Sequence, residues 1–206
     1  TEKRLRQLGV PFEKTVVSDF QHASYFPGAK HLTVKILWDP ETEQVLGGQA
    51  AGPKGVAKRL DVLATALRGG LTIEDLVHLE LAYAPPFGGA KDPVNIAGFV
   101  ACNARDGLVD PVHSLDDEEA QVVDIRPPVL VEKDPVEGAL NIPLPQLRSS
   151  LDRLDRNRPV ITVCAMGKTS YFAARILEQN GFKVKSYSGG IRARSNPFTL
   201  YKPPQA

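Results

Sequence analysis

The sequence is poor in cysteine and has no long apolar run, and each shortage removes a class of explanation. Cys102 and Cys164 are the only two cysteines in 206 residues, too few and too far apart for a disulfide framework. A reducing, cytoplasmic compartment is therefore expected. No apolar run approaches the roughly 18 residues needed to span a bilayer, and no charged n-region followed by an apolar h-region opens the chain, so no membrane is expected as a partner. An excess of one charge is also missing. Lys and Arg number 25 against 24 Asp and Glu, a formal charge of +1, which leaves no field to gather nucleic acid. The four histidines are scattered without metal-ligand spacing, so no metal site is expected. The opening TEKRLRQLG reads as the end of a turn or helix, and the chain is expected to be a fragment of a longer protein.

What is present divides at residue 107, and two domains are expected, 1–107 and 108–206. In the first, FEKTVVSDF has the β-branched residues of a strand, and HASYFPGAK follows as a loop. HLTVKILWD alternates, with Leu32, Val34, Ile36 and Trp38 on one face of a half-buried strand. EQVLGGQAAG completes an antiparallel hairpin in which Gly47 and Gly48 permit a bulge or a close backbone approach. Val56, Leu60, Leu63 and Leu67 recur at helical spacing before Gly69 and Gly70, and Thr72 with Asp75 forms a capping box for a short helix. His78, within that apolar pattern, is expected in a core or interface, and Cys102 is expected to be buried in a helix without a charged partner. Pro85 and Pro86 hold Tyr83 and Phe87 on a stiff loop before a helix opening near Asp92 and Pro93.

The second half changes rhythm. SLDDEEA reads as an acidic helix start, AQVVDI as a buried strand and GALNIPL as a further strand. PLPQLRSSLDRL reads as an amphipathic helix, RPVITVCAM as a strand, KTSYFAARILEQNGF as a full helix, and KVKSYSGGI closes the alternation. Strands and helices alternating at intervals of about 10 to 15 residues indicate an α/β domain with a mostly parallel sheet. Ligands of such sheets sit at the carboxyl ends of strands, which is where Cys164 falls. In VITVCAMGKTS the cysteine stands between strand and helix, facing loop amides and the positive end of a helix dipole. That environment favours thiolate over thiol, and thiolate is the nucleophile.

The same residues exclude several chemistries. A P-loop requires glycine five residues before Gly167, where Thr162 stands. A phosphatase loop of this type needs a terminal Arg fork, and Ser170 occupies that place. A thioredoxin-type CxxC fails at Gly167. GGQAAG and GGI lack the βαβ context of a dinucleotide site.

SYFPGAK, KILWD, GGQAAG and above all AYAPPFGGAKDPVN resemble the C-terminal dimerisation domain of the pyridine nucleotide-disulfide oxidoreductases, in their coenzyme A-disulfide reductase and NADH oxidase branch. VVDIR, EGALNIPL, VCAMGKTS, AARILEQNGF and YSGGI are similar to a rhodanese-like domain. The first resemblance implies an α+β unit that forms the homodimer and lends Tyr83 and Tyr25 to a thiol substrate near the partner's flavin, with Lys30 as a contact for a coenzyme A phosphate. The second implies an α/β unit in which Cys164 carries a persulfide, cradled by the backbone of Ala165, Met166, Gly167, Lys168, Thr169 and Ser170. Asp124 and Arg126 match its DxR signature, with a buried salt-bridged role. Rhodanese loops carry Arg where this chain has Thr169, and Lys168 offers a point charge instead of a fork, so poor use of thiosulfate is expected.

Together the resemblances imply the C-terminal part of a flavin-dependent coenzyme A-disulfide or persulfide (polysulfide) reductase. FAD, NAD(P)H and coenzyme A belong to the parent enzyme. The fragment itself lacks the GxGxxG and redox cysteine of the missing domains and is expected to bind none of these cofactors alone. The alternatives are a non-catalytic interaction module with an inert rhodanese-like domain, and a stand-alone sulfurtransferase.

Overall fold

The computed structural model describes residues 1–194, which form two compact units, Thr1–Arg105 and Asp106–Arg194. The tail 195–206 of the expected second domain lies outside the described residues.

The first unit is an antiparallel sheet of β1 (Glu13–Phe20), β2 (His31–Trp38) and β3 (Val45–Ala51), in that order, with helices α1 (Glu2–Leu8), α2 (Val56–Gly69), α3 (Ile73–His78) and α4 (Pro93–Arg105). Its central strand departs from the expected half-burial. Leu32, Val34, Ile36 and Trp38 pack into the helix-side core, but Thr33, Lys35 and Leu37 are buried as well. The second face is covered because Glu2 of α1 reaches the Lys35 ammonium at 2.9 Å and the Lys14 ammonium at 3.2 Å. A buried ion pair substitutes there for water, a cost that only paired charges can meet. The register shift between Leu37 and Trp38 provides the expected bulge. At Gly48 a Cβ would lie 2.7 Å from Leu63 Cδ1, so glycine is what lets α2 approach β3.

Helix α2 buries Arg59, Leu63 and Ala66, whereas Leu60 and Leu67 are exposed. The apolar stripe at 56, 60, 63 and 67 is thus rotated from the observed face, because an apolar count cannot anticipate a buried arginine. The Thr72–Asp75 capping box forms as expected. His78 does not enter a core: its side chain is 73% exposed and pairs with Glu74 at 3.3 Å. Cys102 is buried, yet it has a charged partner, its thiol donating to Glu74 Oε2 at 3.5 Å.

The second unit is a five-stranded, wholly parallel sheet in the order β4 (Pro111–Val112), β8 (Val184–Tyr187), β7 (Val160–Val163), β5 (Gln121–Asp124), β6 (Leu140–Asn141). One face carries Val123, Ile125, Val160 and Cys164 against Ala173 and Leu177 of α6 (Lys168–Gln179), and the other carries Ile161, Val163 and Tyr187.

Two stretches of this unit differ from their expected helices. SLDDEEA forms turns rather than a helix start: Ser114 Oγ and Asp117 Oδ1 capture the amides of Asp116 and Glu119, and Arg158 binds the carbonyls of Glu119 and Ala120. PLPQLRSSLDRL is two 3₁₀ segments, Leu144–Ser149 and Leu151–Arg153, in which only Leu147 is buried, too little to reward a full α-helical face. The second unit opens with an edge strand, β4, whose first residue is Pro111, a position where proline is tolerated. A short helix, α5 (Pro128–Lys133), buries no side chain and so leaves no periodicity to read. No described helix is long and apolar enough to cross a membrane.

Candidate active site

Two groups of residues are assembled, one in each unit. In the second unit β7 ends at Val163, and the chain turns through 164–167 into α6 with Gly167 as its N-cap at φ 92. Cys164 is 1% exposed, and its Sγ accepts the Gly167 N–H at 3.1 Å, as a loop curled around a sulfur requires. The thiol donates to Ser170 Oγ at 3.4 Å; Ser170 in turn donates to Gly167 O at 2.9 Å and receives the Ser186 hydroxyl at 3.2 Å. Ala165, Met166 and Gly167 are partly exposed, and Lys168 and Thr169 are exposed.

Asp124 and Arg126, at the end of the neighbouring strand β5, form a buried pair at 2.6 Å, and Arg126 also donates to Asp134 O at 2.7 Å. The Asp124 carboxylate pushes the Arg126 guanidinium up against the opposing effect of burial, and the charges of Asp124, Asp134 and Cys164 act in the same direction. Asp124 occupies both guanidinium nitrogens that face its carboxylate.

Sequence reasoning gave no role to Gly189 and Gly190, which brace the loop. Ile191 N–H donates to Cys164 O at 2.9 Å and Arg192 N–H to Ala165 O at 3.0 Å, from the first turn of α7 (Gly190–Arg194). A Cβ on Gly190 would sit 2.5 Å from Met166 N, so the two backbones touch. The adjacent glycines in YSGGI were the available signal, since paired glycines mark close backbone approach as well as phosphate sites.

In the first unit the structure brings Tyr25 and Tyr83, 58 positions apart, to a hydroxyl–hydroxyl distance of 3.2 Å. Both rings are exposed, together with Phe87 and Phe26. The hydrogen bond between the two hydroxyls pushes the Tyr25 phenol up, as donation from Tyr25 to Tyr83 would. Their loops are tied by Ala23 N–H to Gly88 O at 3.0 Å, and Arg59, 1% exposed, clamps both from below. It donates to Gln21 O at 2.6 Å, to Gly55 O at 3.2 Å and to Asp92 at 2.7 and 3.2 Å. Lys30 is exposed on the loop that carries Tyr25. Among the described residues, no group of three or more His, Cys, Asp or Glu side chains is placed to hold a metal ion.

Family models match both halves of the chain. Residues 1–93 match the pyridine nucleotide-disulphide oxidoreductase dimerisation domain, and residues 112–196 match the rhodanese-like domain. The chain joins these two domains. The coenzyme A disulfide reductase of Staphylococcus aureus (strain bovine RF122 / ET3-1) is 38% identical over 90 residues, which are 44% of this chain and 20% of that protein. The crystal structure of reduced Bacillus anthracis CoADR-RHD aligns at a TM-score of 0.88 and 38% identity, covering 93% of this chain and 35% of that one. A NAD-dependent persulfide reductase from A. fulgidus aligns at 0.86 and 35% identity, covering 93% and 36%. The chain thus spans about a fifth of that curated relative and about a third of the two solved structures. Its fold, an antiparallel sheet with helices followed by a parallel α/β sheet, is that of CoADR-RHD.

Proposed function

We propose that this chain is the C-terminal part of a flavin-dependent coenzyme A-disulfide or persulfide reductase, and that its rhodanese-like domain carries sulfane sulfur on Cys164. The observation that carries the reading is the Cys164 Sγ held at 3.1 Å from the Gly167 amide at the carboxyl end of a parallel strand. In the proposed step the Cys164 thiolate attacks the sulfane sulfur of a donor R–S–SH. The new S–S bond forms as the donor bond breaks, and R–S⁻ leaves with the electron pair. The amide at the start of α6 favours negative charge on sulfur without needing a charged side chain. With Thr169 and Lys168 where a guanidinium fork would recognise thiosulfate, a protein-bound, polysulfide or coenzyme A persulfide donor is the better substrate.

In the first unit the Tyr25–Tyr83 pair supplies two phenols that can hydrogen-bond a departing thiolate, and Lys30 supplies a cation for a coenzyme A phosphate. The exposed Tyr25, Tyr83 and Phe87 form part of the homodimer surface. The two glycine-rich stretches, GGQAAG and GGI, offer no cradle for a dinucleotide pyrophosphate. Gly47 and Gly48 lie inside β3 with Leu37 and Leu63 against them, and Gly190 is filled by the Cys164 loop. FAD and NAD(P)H are accordingly assigned to the remainder of the parent enzyme.

Incubating the chain with polysulfide and weighing it intact tests the carrier role. Addition of sulfur to the wild type and none to Cys164→Ser is expected; loading that survives the substitution places the chemistry elsewhere. The near-complete burial of Cys164 favours a second reading, an inert rhodanese-like fold serving only as an interaction module. That version predicts a thiol that neither loads sulfur nor alkylates in the folded protein.

A further inference from the structure

Beneath the cysteine lies a chain of hydroxyls that the sulfur-carrier reading leaves without a function. Ser170 is fully buried and Ser186 is 6% exposed, and buried hydroxyls on a dry sulfur are costly unless their hydrogen bonds do something specific. Ser170 Oγ touches Cys164 Sγ at 3.4 Å, Gly167 O at 2.9 Å and Ser186 Oγ at 3.2 Å. A serine hydroxyl has a single proton and two lone pairs. With Cys164 as a thiol, Ser170 spends its proton on Gly167 O and accepts from both the thiol and Ser186.

We propose that Ser170 is a hydrogen-bond switch for the inner sulfur: when Cys164 becomes an anion, the Ser170 hydroxyl turns from Gly167 O to donate to Sγ, with Ser186 continuing to donate to Ser170. The turn leaves no orphan, because Gly167 O also accepts the Tyr171 N–H at 3.3 Å. Ser186 has a fixed task, since its donation polarises the Ser170 O–H toward the sulfur. The Gly167 amide and the Ser170 hydroxyl then supply two donors to one thiolate in a pocket closed to water.

The proposal rests on Cys164 as the carrier, and it places the switch at the discharge step. An acceptor thiolate R–S⁻ attacks the outer sulfur of Cys164–S–SH. The bond between R–S and the outer sulfur forms, the inner Sγ–S bond breaks, and its electron pair stays on Sγ. The proton remains on the outer sulfur, giving R–S–SH, and the negative charge moves from the acceptor to Cys164, where Ser170 meets it. Ser170 touches the reacting atom and is therefore catalytic, whereas Ser186 is a positioning residue.

The test follows iodoacetamide alkylation of the Cys164 peptide across pH in the full chain. Losing one hydrogen bond to a charged sulfur should move the half-maximal pH of Ser170→Ala upward by about one to two units. Ser186→Ala should move it in the same direction by less, and discharge of loaded persulfide to a small thiol should slow about tenfold or more in Ser170→Ala. A Ser170→Ala profile that overlays the wild type overturns the switch. If that variant does not fold, Ser186→Ala carries the test, and its overlay has the same force. A shifted profile in a protein whose wild type takes up no sulfur would instead sink the carrier reading and leave the hydroxyl–sulfur coupling standing.

Discussion

A single methyl group at position 190 should unseat the Cys164 loop. Gly190 has φ 65, and its Cβ would lie 2.5 Å from Met166 N, 2.6 Å from Ala165 C and 2.6 Å from Gly167 N. All three are backbone atoms, so no side chain can swing aside. Gly138, in the same unit, supplies the control, with φ 72 and nothing within 4 Å of its Cβ. Gly138→Ala meets only the left-handed backbone penalty of about 1 kcal/mol. Gly190→Ala adds overpacking of about 1–3 kcal/mol, for a total of about 2–4 kcal/mol. In a unit of this size each kcal/mol lowers Tm by about 4–8 °C. Calorimetry should therefore show a drop of about 4–8 °C for Gly138→Ala and at least twice that for Gly190→Ala. Displacing the Gly190 backbone would also release the Ile191 and Arg192 amides from Cys164 O and Ala165 O, and Cys164 should alkylate faster. Equal melting and equal alkylation in the two variants would refute the brace.

Two further outcomes follow from the first unit. Tyr83→Phe removes the hydrogen bond that pushes the Tyr25 phenol up, so the ultraviolet titration of Tyr25 should fall toward the ordinary tyrosine value of about 10; an unchanged titration contradicts the pairing. Burial pushes the Glu2 carboxyl up, but hydrogen bonds from Lys35 and Arg6 and the charges of Lys14 and Lys35 overcome it and hold the group at about 2, from an ordinary 4.5. A depressed carboxylate stabilises the fold fully above its unfolded value and loses that contribution as pH falls from about 4.5 through about 2. The amount is about 3 kcal/mol. Urea unfolding followed by Trp38 fluorescence should show wild type and Glu2→Gln converging across that window, and a constant gap between them would show that Glu2 does not titrate as described.

The elements carried by strong local signals were readable from the chain. The Thr72–Asp75 capping box, the glycine stop of α2 and the β-branched run before Cys164 each work over a few residues, and each appears as expected. The misread elements depended on distant partners. SLDDEEA is held by Arg158, which binds the carbonyls of Glu119 and Ala120, α2 turned its face toward a buried arginine paired with Asp92, and β2 was covered by a carboxylate from α1. Apolar periodicity is blind to a charge that is buried because it is paired.

The sequence by itself determined the two-part alternation of elements, the place of Cys164 between strand and helix, and the residues that match the two domain families. Only the tertiary structure decided how those residues meet. It set the tyrosine hydroxyls 3.2 Å apart across 58 positions, locked both loops on Arg59, laid Gly190 against the loop backbone and stacked Ser170 and Ser186 under the sulfur. Spacing along a chain specifies which faces an element presents, whereas a hydrogen bond or a backbone contact between distant segments exists only once the packing of both has fixed their separation.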